Sequence, residues 1–284
     1  MNKKQETPTQ FVLGILNDML MMSQAEKFKL VAGFGVDSGG FIACDRQALS
    51  EWEPGSDRET NQALRRRYKH KSTGILLEFG GFTAPEDMEK GVIYFSHYEE
   101  VIPELGKTMN ALNSDGETDS IPPEPVTGFS YGAYCSSSSR QGAFITSGSG
   151  CKALSSSTSY GDGHYGVYRT TFTKPGSDVV ILDVGNALAC IHEPEPDEDE
   201  EDHVVYKDLK VVEVDPETVM HAEAELFIGD PCYLPRQDGA ILPMLRPTDF
   251  RVFRVDGRDD GMFGSLLWYV LVPKELINGD GHDL

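Results

Sequence analysis

Ser157-Thr-Ser-Tyr160-Gly-Asp162-Gly-His164-Tyr165-Gly-Val-Tyr168 sets an Asp between two glycines just ahead of a β-forming run. Gly161-Asp162-Gly163 is turn chemistry, since glycine reaches positive φ without a steric penalty and an Asp carboxylate bonds to backbone amides just ahead of it. Val167-Tyr168-Arg169-Thr170-Thr171-Phe172 follows, rich in β-branched and aromatic residues, and predicts a strand. An Asp-Gly pair between β-formers predicts a hairpin. The turn reads in two ways: as a structural connection, or as a tip from which Asp162 and His164 project into a site. Two other stretches repeat the pattern of an Asp beside Gly or Pro next to an apolar run. They are Val36-Asp37-Ser38-Gly39-Gly40 and Ile228-Gly229-Asp230-Pro231-Cys232-Tyr233.

Outward from these turns the chain predicts more strands than helices. Phe28–Phe34, Phe41–Cys44, Gly74–Phe79, Gly91–Ser96, Val179–Val184, Lys207–Val214, Ala222–Ile228, Arg251–Val255 and Leu266–Val272 all read as strands. Helices are expected near the start. Thr7-Pro8-Thr9-Gln10 forms a capping box with Pro at the first helical position, and Phe11, Ile15, Met19 and Met22 recur at helical spacing behind it. Asp45 caps a short helical turn through Trp52. Ser56 with Glu59 opens a helix across Asn61–Tyr68, which ends on the basic cluster Arg65, Arg66, Arg67, Lys69 and Lys71. The fold class is therefore α+β and β-rich, with antiparallel sheets and two or three helices in the N-terminal part. Residues 113–128, with three prolines among turn formers, predict a linker between an α+β region at 1–112 and a β-rich region at 129–284. The latter carries an acidic loop at 193–203, in which Glu193, Glu195, Asp197, Glu198, Asp199, Glu200, Glu201 and Asp202 repel one another without an apolar anchor.

The chain has 284 residues and a formal net charge of −21, from 46 acidic and 25 basic side chains. Such an excess repels the phosphates of nucleic acids and of anionic membranes, so neither is an expected partner, and it favours a basic protein surface. No run of 18 apolar residues suits a membrane span, no signal-peptide pattern follows Lys3-Lys4, and a cytoplasmic location is expected. Five widely spaced cysteines without a C-x-x-C pair predict buried thiols rather than a disulfide framework or structural zinc.

The Tyr-Gly-Asp-Gly-x-Tyr, Val-Asp-Ser-Gly and Gly-Asp-Pro-Cys-Tyr runs resemble those of uncharacterised bacterial and phage proteins in domain-of-unknown-function families. That resemblance implies a β-rich fold and a phage or mobile-element origin, and through it an inhibitor directed at a host protein. It implies no established activity.

Two classes of function stand against each other. One is an acidic, non-enzymatic binding protein that engages a basic protein surface. The other is a metal-assisted hydrolase, or a binder of a phosphorylated small molecule, which uses the turn carboxylates Asp37, Asp162 and Asp230 with His164 and Tyr233 and holds phosphate on Arg65–Lys71. For that second class the carboxylates would have to converge, and a divalent cation on oxygen ligands is the one cofactor they suit. Ser38 lacks the G-x-S-x-G elbow. The glycine spacing around Gly161-Asp162-Gly163 is followed by a strand rather than a helix, which excludes a dinucleotide-binding turn.

Overall fold

The structure, a computed structural model, describes residues 7–20, 28–53, 66–70, 76–79, 118–121, 127–137, 141–170, 178–188, 207–258 and 265–277. In chain order these form α1 (Pro8–Leu20), β1 (Phe28–Val36), β2 (Gly40–Asp45), a 3-10 turn (Arg46–Glu51), β3 (Arg66–His70), β4 (Leu76–Phe79), β5 (Thr118–Ile121) and α2 (Tyr131–Ser137). Then come β6 (Ala143–Thr146), β7 (Lys152–Ser157), β8 (Gly163–Thr170), β9 (Val180–Asp183), β10 (Lys207–Glu213), β11 (Met220–Ala222) and β12 (Glu225–Gly229). The chain continues through a 3-10 turn (Leu234–Arg236), β13 (Ala240–Pro243), β14 (Thr248–Arg258), β15 (Ser265–Pro273) and α3 (Lys274–Ile277). It divides into two units, one of Met1–Trp52 with Ser137–Leu284, the other of Glu53–Ser136. This division differs from the break expected at 113–128, a segment in which Thr118–Ile121 is a strand.

The larger unit is built on two antiparallel sheets. One has seven strands in the order β1-β8-β9-β15-β14-β10, with β11 also paired to β14; the other has the order β13-β12-β2-β7-β6. Alternation along the strands sends one set of side chains into the space between the sheets. Phe34, Tyr165, Leu182, Phe250 and Tyr269 meet Phe41, Leu154, Ile228 and Leu242 there, all buried. The other face of the seven-stranded sheet presents Phe28, Tyr168, Ile181, Trp268 and Val270, which α1 covers with Val12, Ile15 and Leu16. The expected capping box is present: the Thr7 hydroxyl accepts the Gln10 N–H at 3.3 Å, and the Gln10 side chain accepts the Thr7 N–H at 3.0 Å.

Two bulges let single strands serve both cores. In β1 the register shifts between Leu30 and Ala32, so Phe28 faces α1 while Phe34 and Val36 face the other sheet. In β15 Val255 pairs with Trp268 and Asp256 with Leu266, which leaves Leu267 as the extra residue. One inserted residue reverses which face the following side chains occupy.

The smaller unit contains the antiparallel sheet β4-β3-β5 and a parallel bridge between Glu53 and Ser130. Here the helix expected across Asn61–Tyr68 is corrected at its end, because Arg66, Arg67 and Lys69 lie on β3, Arg66 paired with β4 and Arg67 and Lys69 with both β4 and β5. Ladder pairing with β4 and β5, not a helix-end dipole, sets the backbone that carries those cations, while Ser56 and Glu59 lie outside the described residues. Arg65 and Lys71, the strand expected at Gly91–Ser96, and the acidic residues from Glu193 to Asp202 lie outside the described residues.

The β-rich α+β class holds, and α1 and the Asp45-capped 3-10 turn are where the N-terminal helices were expected. Among the described residues, no helix is long and apolar enough to cross a membrane. None of Cys44, Cys135, Cys151 and Cys232 forms a disulfide; Cys44 is buried as expected, and Cys232 is exposed instead.

Candidate functional site

The three unusual stretches meet at one place in the larger unit. Val36 ends β1 in one sheet and Gly40 opens β2 in the other, so Asp37-Ser38-Gly39 is a corner that carries the chain between sheets. Ser157 ends β7 and Gly163 opens β8, and residues 158–162 make the return crossing. Because Val36 pairs with Gly163 and Gly40 with Ser157, the two corners lie side by side. The hairpin expected at Asp162-Gly163 is thereby corrected: β7 and β8 belong to different sheets and do not pair. The left-handed residues of the corners are Gly39 (φ 73°) and Gly161 (φ 81°). Thr158 knits them together, its N–H donating to the Gly39 carbonyl at 3.0 Å and its hydroxyl to the Gly161 carbonyl at 2.6 Å. The Tyr165 hydroxyl donates to the same Gly161 carbonyl at 2.8 Å.

The third stretch closes the seam from the far side of β2, where Gly229 at the end of β12 pairs with Ile42. Asp230 follows and is fully buried. One of its carboxylate oxygens accepts the N–H groups of Asp37 at 2.5 Å and Ser38 at 2.8 Å; the other accepts the Cys232 N–H at 2.7 Å. Charge-assisted bonds of this kind are the strong ones, and they satisfy the buried carboxylate. Tyr233 completes the latch by donating its hydroxyl to the Asp37 carboxylate. That hydrogen bond, with the negative charge beside it, pushes the Tyr233 phenol above its ordinary pKa.

Around this seam lies a cleft of about 290 Å³, lined by Gly35, Val36, Asp37, Gly163, His164, Tyr233 and Asp238. Of the residues singled out from sequence, Asp37, His164 and Tyr233 therefore share one cleft. Asp230 lies beneath it as a structural staple, and Asp162 is exposed and outside the lining. Asp238 is a lining carboxylate that sequence reasoning missed. Its signal is present as Asp238-Gly239, the same Asp-Gly pair as in the opening stretch, set after Gln237 in the left-handed conformation (φ 53°). The Arg236 guanidinium lies over the Tyr233 ring at 5.7 Å from its centroid.

A second, more open cleft of about 500 Å³ is lined by Arg46, Gln47, Ser50, Ala224, Glu225 and Gln237. Its cation is already engaged, with Arg46 bound to Glu225 at 2.6 Å and to the Gln237 side chain at 3.3 Å. Elsewhere His221 lies between two carboxylates, Nδ1 at 2.8 Å from Asp249 and Nε2 at 3.0 Å from Glu223. Among the described residues, no group of three or more His, Cys, Asp or Glu side chains is arranged to hold a metal ion. The first cleft offers carboxylates, an imidazole and a phenol, a set suited to binding a cationic group.

No family model matches the chain, and no curated protein or solved structure matches it.

Proposed function

We propose that this chain is an acidic, non-enzymatic binding protein of the cytoplasm that engages a basic surface on another protein. The observation that carries the proposal is the seam of three turns on a chain of net charge −21. The seam brings Asp37 and Asp238 to one cleft, and the buried carboxylate of Asp230 fixes the backbone of the Asp37 turn. A rigid rim of exposed carboxylates costs little to reorganise when a partner arrives, and a strong negative field speeds the encounter. An inhibitor of a host protein is one form such a binder takes.

The alternative, a hydrolase using Asp37, Asp162 and Asp230 together, loses its central carboxylate. Asp230 is buried and taken up by three backbone amides.

The test is kinetic. Partners are captured from lysate on the immobilised protein, and association is then measured with the purified partner at several salt concentrations. Screening over about 8 Å at physiological salt slows the association of oppositely charged surfaces more than it hastens their dissociation. The expected result is an on-rate that falls by about ten-fold or more between 50 and 300 mM salt, with a nearly constant off-rate. Binding that is indifferent to salt overturns the proposal.

A further inference from the structure

The cleft at the seam is more specific than a negative field requires. Two carboxylates, Asp37 and Asp238, stand at it together with the phenol of Tyr233 and the imidazole of His164. Two of the remaining walls are glycine, Gly35 and Gly163, so the backbone itself forms part of the lining. At about 290 Å³ it has room for about ten waters, which suits one long side chain rather than a folded element.

One internal contact already sets an arginine against this aromatic wall. The guanidinium of Arg236 already sits over the Tyr233 ring. A planar guanidinium combines stacking on an aromatic face with forked donation to a carboxylate, whereas an ammonium offers only a compact point charge. The latch orders one acceptor, Asp37, in advance, since Tyr233 bonds its carboxylate and the Asp230 staple bonds its N–H.

We propose that the cleft between the three turns receives an arginine side chain of the basic partner, its guanidinium held by Asp37 and Asp238 beside the Tyr233 ring. This rests on the proposed binding function and names the chemistry by which the site recognises its partner.

The experiment uses the full chain and three short peptides that are identical except for one central residue: arginine, lysine, or citrulline, the neutral isostere of arginine. Binding is followed by amide chemical-shift changes at Gly35, Asp37 and Gly163. The arginine peptide is expected to bind at least about ten-fold more tightly than the citrulline peptide, and more tightly than the lysine peptide. Its shifts should centre on the cleft. Asp37→Asn with Asp238→Asn should remove that preference, and Glu217→Gln, an exposed acid outside the cleft, should leave it intact.

Asp37 also takes part in the latch, so Gly35→Gln serves as a second variant. A Cβ at Gly35 meets nothing closer than 3.7 Å, from the His164 ring, so Gln fits there while every carboxylate stays in place. It should block the arginine peptide by filling the cleft. Equal binding of arginine and lysine peptides, shifts spread over the acidic surface, or full binding by Gly35→Gln each overturns the inference. If partner association keeps its salt dependence while these variants change nothing, the cleft is wrong and the charge-driven function stands. If the salt dependence is missing, that function fails first.

Discussion

The carboxylate of Asp230 sits in the interior with three N–H donors pointed at it, two of them from a turn more than 190 residues earlier. Asp230→Asn keeps the shape but turns one acceptor into a donor, which then faces a backbone N–H. Leaving a buried polar group unmet after losing a charged partner should cost about 3 kcal/mol, read as a lower urea midpoint with unchanged slope. A change below about 0.5 kcal/mol would mean that water replaces the carboxylate. His221 supplies a pH dependence. Hydrogen bonds to Asp249 and then Glu223 raise its pKa above the ordinary 6.5. A raised folded-state pKa means that the stabilisation is complete below pH 6.5 and disappears as pH climbs through the folded value. A ring titration by NMR should place His221 above 6.5, and His221→Gln should flatten the stability profile over that range. A midpoint at or below 6.5 would contradict this. At this scale the sequence was partly legible. The residue types at the site stood out because Asp beside Gly or Pro is unusual next to an apolar run. Which Asp faces solvent and which is buried depends on contacts across the whole chain, and no local pattern encodes it.

Elements were the more readable level where the signal is local. The Thr7–Gln10 box starts α1 where expected, and Asp45 caps its turn by accepting the Gln47 N–H at 2.7 Å. Strand periodicity located β1, β2, β9, β10, β14 and β15 to within a few residues. Connections were not readable in the same way. A hairpin and a corner between sheets use the same Gly and Asp chemistry, and only the pairing partners distinguish them. The basic run at 65–71 misled for a related reason, since charge alone does not say whether a segment coils or pairs. Two glycine substitutions test the elements with opposite signs. Gly161→Val places a β-branched residue at φ 81° in the β7–β8 corner and should cost about 1–3 kcal/mol. Gly14→Ala lies within α1, where a Cβ meets nothing within 4 Å, and should stabilise by up to about 1 kcal/mol. Thermal melts of the two variants decide the matter, and a neutral Gly161→Val would remove the case for a strained corner.

For the whole molecule, the charge of −21 works against compactness while it assists encounter with a cation-rich partner. Raising sodium chloride from 10 to 150 mM should therefore raise the melting temperature, because screening relieves repulsion among like charges more than it weakens exposed ion pairs, which contribute little each. A lower melting temperature in salt would point to ion pairs outweighing that repulsion. The order in which the strands pair has another effect. Among the described residues β1 takes its one strand partner from residues 163–170, and β2 lies between partners at 152–157 and 225–229. A ribosome adding 5–20 residues per second releases β2 roughly 10–40 s before β12 exists to pair with it. During that interval the edge of β2 that β12 later covers stays unpaired in the nascent chain, and such an edge is where a second chain can pair.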